Sequence, residues 1–307
     1  MTHVFSHRVL RTLVFVFATS LAGFGSVIGT FDRSFQVSGP VDLEVLTRSG
    51  DITVRNGAAG TVSIHAKIHS GNSWFSGDHK TEVQELQTNP PIRQTGNSIR
   101  IDYVNLNNIS IDYEITVPED TAIRAHTGSG NQTVEGLKGR IDLESGAGDL
   151  RLARLAGEMR FQTGSGNVRG RDLSGPAKVK AGSGDIEIEE MGVGDVDIRT
   201  GSGNITANGI NGGFHAEAGS GDIHGNGSPK NIWSVRTGSG KVILRVPSDA
   251  AFDVDISSSS GTVRLGHPVT TTVQGRVQES RKSVMGKVRG GGPIVSVHTG
   301  SGDVAVD

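Results

Sequence analysis

Residues 181–205 read AGSGDIEIEEMGVGDVDIRTGSGNI, and this stretch decides the fold. Ile186 and Ile188 alternate with Glu187 and Glu189, and Val196 and Ile198 alternate with Asp197 and Arg199. Alternation with a period of two marks strands with one face buried. Gly-Ser-Gly followed by Asp185 or Asn204 punctuates these strands, and so does Gly192-Val193-Gly194. Glycine supplies a positive φ, or a close backbone approach that a Cβ would obstruct. Two strands of about five residues with two turns account for the 19 residues from Gly184 to Gly203. That is one coil of a flattened solenoid.

The same unit recurs along the chain. Its third-position glycines are Gly130, Gly148, Gly166, Gly184, Gly203, Gly221, Gly240 and Gly261, in steps of 18, 18, 18, 19, 18, 19 and 21 residues. Outlying copies are Ser49-Gly50-Asp51 and Ser301-Gly302-Asp303. Self-similarity at this period predicts a stack of supersecondary units, none of which buries its apolar face alone. Counting back from each turn gives inward pairs at Ile123/Ala125, Ile141/Leu143, Met159/Phe161, Ala177/Val179, Val196/Ile198, Phe214/Ala216 and Trp233/Val235. Read in chain order, the seven intervals from Gly130 to Gly261 span roughly 34 Å at about 4.8 Å per rung.

The intervening positions face outward and are polar. One column runs Arg124, Asp142, Arg160, Lys178, Asp197, His215, and the next runs His126, Glu144, Gln162, Lys180, Arg199, Glu217, Arg236. The plain reading is a solvated sheet face with charge pairs between rungs. The functional reading takes Arg160, Lys178, Lys180, Asp197, Arg199, His215 and Glu217 as a face that binds polysaccharide, cell wall or an envelope protein.

Outside the repeats the chain changes character. Arg8 and Arg11 precede an uncharged run from Thr12 to Gly29, with Val27-Ile28-Gly29 at the −3 to −1 positions of a cleavage site. Residues 1–29 thus read as a secretory signal peptide. An uncleaved anchor is the alternative, because the run falls just short of a span of about 20 residues. The expected location is exported: periplasm, cell envelope or extracellular space, with membrane contact only through an uncleaved N-terminal segment. Residues 30–307 read as a single solenoid domain with insertions at about 70–98 and 267–292. Within the first insertion, Asp78 to Gln87 suits a short helix stopped by Asn89-Pro90-Pro91, and Trp74 and Phe75 suit a cap over the open end. Phe31 to Ile68 reads as the first coils, and Ile99 to Val117 resumes the alternation.

The chain has no cysteine, which excludes disulfides, thiolate metal sites and cysteine nucleophiles. Its 30 basic and 32 acidic residues give a net charge of −2 and no general attraction to nucleic acid. Thr237-Gly238-Ser239-Gly240-Lys241 lacks the spacing and the following hydroxyl residue of a phosphate loop. Calcium β-rolls repeat Asp within a nine-residue unit. Here the acidic position occurs once per coil and is filled by Asn131, Asn167, Asn204, Lys241 or Thr262 in several copies, so a turn role is expected. His65 and His69 lie about 13 Å apart if the segment is a strand and read as surface residues. No cofactor is expected, with calcium at the turn carboxylates the alternative. A solenoid polysaccharide-cleaving enzyme, using residues such as Asp197, Lys178 and Arg199, remains the catalytic alternative to a non-catalytic surface, and a purely structural envelope role is the other.

The copies at 182–186, 201–205 and 219–223, with the closing run Gly291-Gly292-Pro293-Ile294 to Thr299-Gly300-Ser301-Gly302-Asp303-Val304, resemble the bacterial "putative adhesin" family of exported β-solenoid domains. The likeness covers roughly residues 31–307. It implies an all-β solenoid (β-helix or roll-like) of 18–19-residue coils with two short strands per coil, and it carries over no catalytic residue.

Overall fold

The computed structural model describes residues 27–70, 80–270 and 282–307. Residues 1–26 of the expected leader, the expected cap residues Trp74 and Phe75, and Thr271 and Thr272 lie outside these segments. Each central coil has two strands, as in Ala177–Ser183 and Ile186–Glu190. Ala177–Ser183 lies parallel between Met159–Ser165 and Val196–Ser202. Ile186–Glu190 lies parallel between Val168–Ser174 and Ile205–Ser220. The result is a β-solenoid. Phe161, Val179, Ile198 and Val235 are fully buried between its two sheets, as the inward columns predict. Phe214 and Trp233 meet edge-to-face at 5.6 Å, and the Trp233 indole donates to the Gly212 carbonyl at 3.0 Å.

Turn rests directly on turn, and this requires glycine. Gly184 has φ 135°, and a Cβ there would lie 2.1 Å from the Gly166 carbonyl oxygen. A Cβ on Gly182 would lie 2.5 Å from the Gly164 oxygen. Two side-chain ladders then tie the turns together. In the outer one, each Asp or Asn carboxylate or amide oxygen accepts the backbone amide of its counterpart one rung on. Asp51, Asn131, Asp149, Asn167, Asp185, Asn204 and Asp222 hand on this bond at 2.8–3.0 Å, ending at the Lys241 amide. Asp and Asn alternate, so carboxylates in the run stand two rungs, about 10 Å, apart. Lys241 has no side-chain acceptor, so the ladder stops there and restarts from Asp303 to the Thr262 amide at 2.9 Å. The amide and hydroxyl of Thr262, helped by the charge of Lys241, hold the Asp303 carboxyl below the usual carboxylate range.

The inner ladder uses the residue before each Gly-Ser-Gly. The hydroxyls of Ser145, Thr163, Thr200, Thr237 and Thr299 donate to the glycine carbonyls of the preceding rung at 3.0–3.2 Å. Ala181 and Ala218 occupy the same column without a hydroxyl. Net contributions near 1 kcal/mol per bond are typical for such half-buried pairs.

Both ends depart from chain order, which corrects the expected rung count. The strand Ile294–Ser301 is inserted between Ile223–Ser239 and Phe252–Ser260, so the Gly302 turn separates the Gly240 and Gly261 turns. Val304–Val306 fills the matching gap in the other sheet. At the opposite end, Val41–Ser49 stacks on Thr121–Ser129, and Ile52–Asn56 enters between Ile109–Val117 and Gln132–Glu135. Val41–Ser49 is therefore a coil strand as expected, but Val27–Gln36 and Thr61–Ser70 are not. They run antiparallel to each other, and Thr61–Ser70 is antiparallel to Ile109–Val117, forming an end sheet. Val27–Gly29, the last residues of the expected leader, begin that edge strand.

The expected helix is Lys80–Thr88, with Val83 and Leu86 buried against the end sheet. The Arg33 guanidinium donates to the carbonyls of Gln87 and Thr88 at 2.9 Å each, satisfying the helix C-terminus with a cation. The second interruption contains a hairpin: Val269–Thr270 pairs with Ser283–Val288, which pairs antiparallel with Phe252–Ser260.

The outer ladder separates hydrogen bonding from charge. Asn167→Ala removes the acceptor for the Asp185 amide and is expected to cost about 1–2 kcal/mol in urea unfolding. Asn167→Asp keeps the acceptor but sets three carboxylates on successive rungs, costing about 0.5–1 kcal/mol, a loss that added salt shrinks. Equal, salt-independent losses for both variants would contradict this account.

Candidate functional site

The seven residues singled out by pattern fall on one outward sheet face. Arg160, Lys178, Asp197 and His215 stand in register across four neighbouring strands, and Lys180, Arg199 and Glu217 form the next column. Asp197 is the hub. It lies 3.1 Å from Arg199 and 3.7 Å from Lys178. Arg199 and His215 both approach Glu217, at 3.9 and 4.0 Å. Arg160 turns away from this network toward Asp142 at 3.9 Å. Lys180, between Gln162 and Arg199, has no carboxylate in ion-pair range among the described residues. Pairs this exposed contribute little to stability, so the face is free to serve another purpose.

Pattern reading missed a groove beside this face. It encloses about 610 Å³ and is lined by Asp197, Arg199, His215, Lys230, Ile232 and Pro293. Its far wall is the corner Lys230-Asn231-Ile232, where Ile232 is 61% exposed. Asp195 fixes that corner by accepting from the Gly213 amide at 2.6 Å and from the Asn231 side chain at 3.0 Å. These two bonds, the one from Asn231 foremost, hold its carboxyl below the usual range. The corner takes two residues more than the neighbouring rung between Pro229 and Trp233, but one fewer before Gly227 offsets this, so the sequence shows only a 19-residue step from Gly221 to Gly240. Pro293 arrives from the inserted C-terminal strand, so chain order alone does not bring it here.

The remaining candidates separate. His65 pairs with Asp32 at 2.8 Å and His69 with Asp112 at 2.8 Å, each with a carboxylate on a different neighbouring strand. His69 is largely covered, unlike the surface residue expected, because the end sheet packs around it. Asp149 and Asp185, the positions a calcium roll would use, direct an oxygen at the next rung's amide. Among the described residues no three His, Asp or Glu side chains converge on a common point suited to a metal. Lys241 stands in the turn register as an Asp replacement, followed by the strand Val242–Arg245 rather than a helix.

Residues 114–307 match the family model described as Toastrack DUF4097. No curated protein matches the chain. Among solved structures, a "putative adhesin" from Bacteroides fragilis shares 15% identity over 93% of this chain and 100% of its own, with a TM-score of 0.35. A "putative adhesin" from Parabacteroides distasonis shares 12% over 93% and 100%, with a TM-score of 0.29. A "putative cell adhesion protein" from Clostridium sporogenes shares 11% over 90% and 98%, with a TM-score of 0.22. Similarities of this size carry no argument about what this chain binds.

One buried carboxyl ends the strand Ile186–Glu190, five residues before Asp195. Glu190 is 2% exposed and accepts the Gly175 amide at 3.1 Å. Burial pushes its pKa up, and the amides of Gly175 and Gly192 offset that only in part. A carboxyl whose folded pKa exceeds its unfolded value stabilises the fold below the unfolded value, about 4.3. That stabilisation disappears as pH rises through the folded value. Glu190→Gln is therefore expected to match wild type near pH 3.5 and to exceed it by about 1 kcal/mol at pH 8, measured by urea unfolding across pH. A constant difference at every pH would rule out this role for the carboxyl.

Proposed function

The chain belongs to the Toastrack DUF4097 family, and from that footing we propose that it is an exported, non-catalytic binding module that holds an acidic polysaccharide of the cell envelope on its polar sheet face. The observation that carries this reading is the charge arrangement. From Arg160 to Arg236 the two outward columns bear five cations, Arg160, Lys178, Lys180, Arg199 and Arg236, against two carboxylates, Asp197 and Glu217. Rungs about 4.8 Å apart on a rigid sheet present that surplus as a fixed array. A polymer with regularly spaced carboxylate or sulfate groups gains several weak contacts at once, and their sum exceeds any single surface pair. Export is supported by the basic, apolar and small-residue order of residues 1–29.

The non-catalytic character is supported by what the polar groups already do. Asp197 is engaged by both Lys178 and Arg199, and the neighbouring strands use their amides in continuous ladders. A hydrolase needs a carboxylate with a distinct acid or base role and donors aimed at developing charge. A purely structural envelope role is the second reading, favoured by the two turn ladders that tie most of the rungs together.

Lys178→Ser, Lys180→Ser and Arg199→Ser combined should lower retention on acidic polysaccharides about tenfold or more, with steep salt dependence in the wild type and an unchanged unfolding midpoint. Equal retention of the variant and the wild type on a polygalacturonate and dextran sulfate panel would sink the assignment of this face.

A further inference from the structure

Next to the proposed face, on the rungs completed by the inserted strand, the two outward columns change chemistry. The first continues Ser234, Ser296, Asp255, and the second continues Arg236, His298, Ser257. The His298 ring is held from both sides: Nδ1 lies 2.7 Å from the Ser257 hydroxyl and Nε2 lies 3.0 Å from the Ser296 hydroxyl. A neutral imidazole has one N–H and one acceptor nitrogen. One serine therefore accepts from the ring, and its own O–H remains to donate elsewhere. Arg236 is the cross-strand neighbour of His298 and is exposed. It has no carboxylate in ion-pair range among the described residues. Its neighbour on the other side, Glu217, is engaged by Arg199 and His215. Asp255 stands across from Ser296 and bounds the cluster on the acidic side.

We infer that Arg236, His298, Ser257 and Ser296 form a subsite for a tetrahedral oxyanion, a sulfate or phosphate ester carried on the bound polymer. The planar Arg236 guanidinium and, one or two strands on, the serine hydroxyl that the ring leaves free to donate offer donors from two sides, with His298 positioning that hydroxyl. That suits an anion with oxygens pointing several ways better than it suits a neutral sugar hydroxyl. The subsite deepens the acidic-polysaccharide reading by adding a selective contact to an array that otherwise responds to charge alone. Ser296 and His298 belong to the strand Ile294–Ser301, so the site exists only once that strand is inserted.

The test is a titration of the full chain with inorganic sulfate, followed by NMR signals of the His298 ring and the amides of Ser296 and His298. Parallel runs with inorganic phosphate distinguish the two esters. Saturable shifts confined to this region are expected. Arg236→Ser should weaken binding at least tenfold, Ser257→Ala several-fold, and Arg55→Ser, at the opposite end of the stack, not at all. Unmoved His298 signals in both titrations, or wild-type affinity in Arg236→Ser with intact amide dispersion, would overturn the subsite. Retention of dextran sulfate by the Lys178, Lys180 and Arg199 triple variant reads the sheet face separately, so either assignment can fail without the other.

Discussion

Carbonyl-to-glycine contact between successive turns is the constraint from which the rest of the structure follows. With a Cβ at Gly166 only 2.2 Å from the Gly148 oxygen, no other residue permits the turns to sit one rung apart. Once they do, the strands that leave each turn are forced into register, and every second side chain is directed inward. The inner hydroxyl and outer Asp or Asn ladders then fasten the same turns, one from the core side and one from solvent. This is also why so small a share of aromatic residues suffices. The interior is a narrow slot filled by Val, Ile, Leu and Ala, with Phe161, Phe214 and Trp233 marking the wider rungs.

The central coils were legible in the sequence because their information is local. Ile186, Ile188, Val196 and Ile198 state which face is buried, and the glycines state where the chain turns. The ends were not legible, for a reason particular to repeats. Val295 and Val297 carry the same pattern as Val254 and Ile256, so alternation fits the last strand to any rung. What selects its place is the need to cover two open edges, a property of the assembled stack. At the other end, Phe31 and Ile64 alternate as a coil strand would, yet they pair antiparallel because a cap must end the parallel ladder.

The outward face was legible as columns but not as a site. Adjacency of Arg160, Lys178, Asp197 and His215 follows from the period, and the structure bears out that register. The groove depends on the Lys230–Ile232 corner and on Pro293 from a strand outside chain order, so no count along the sequence brings them together. The Arg236, His298 and Ser257 cluster is hidden in the same way, with its three members about 20 to 60 residues apart. On a solenoid whose ends are stitched, the outer surface near each seam is the part that sequence periodicity describes least well.

The seam has a mechanical side. A coil at the free end of an ordinary repeat stack can peel away, breaking its hydrogen bonds one at a time. Here Ile294–Ser301 and Val304–Val306 are flanked on both sides by parallel neighbours. Tension applied at the C-terminal residues acts along these strands, and they must slide past two partners with many bonds loaded together. Ile52–Asn56 is clamped likewise at the other end. Such a body resists being unzipped from its C-terminal residues, so a pull there would be borne by several rungs together as a tether under load.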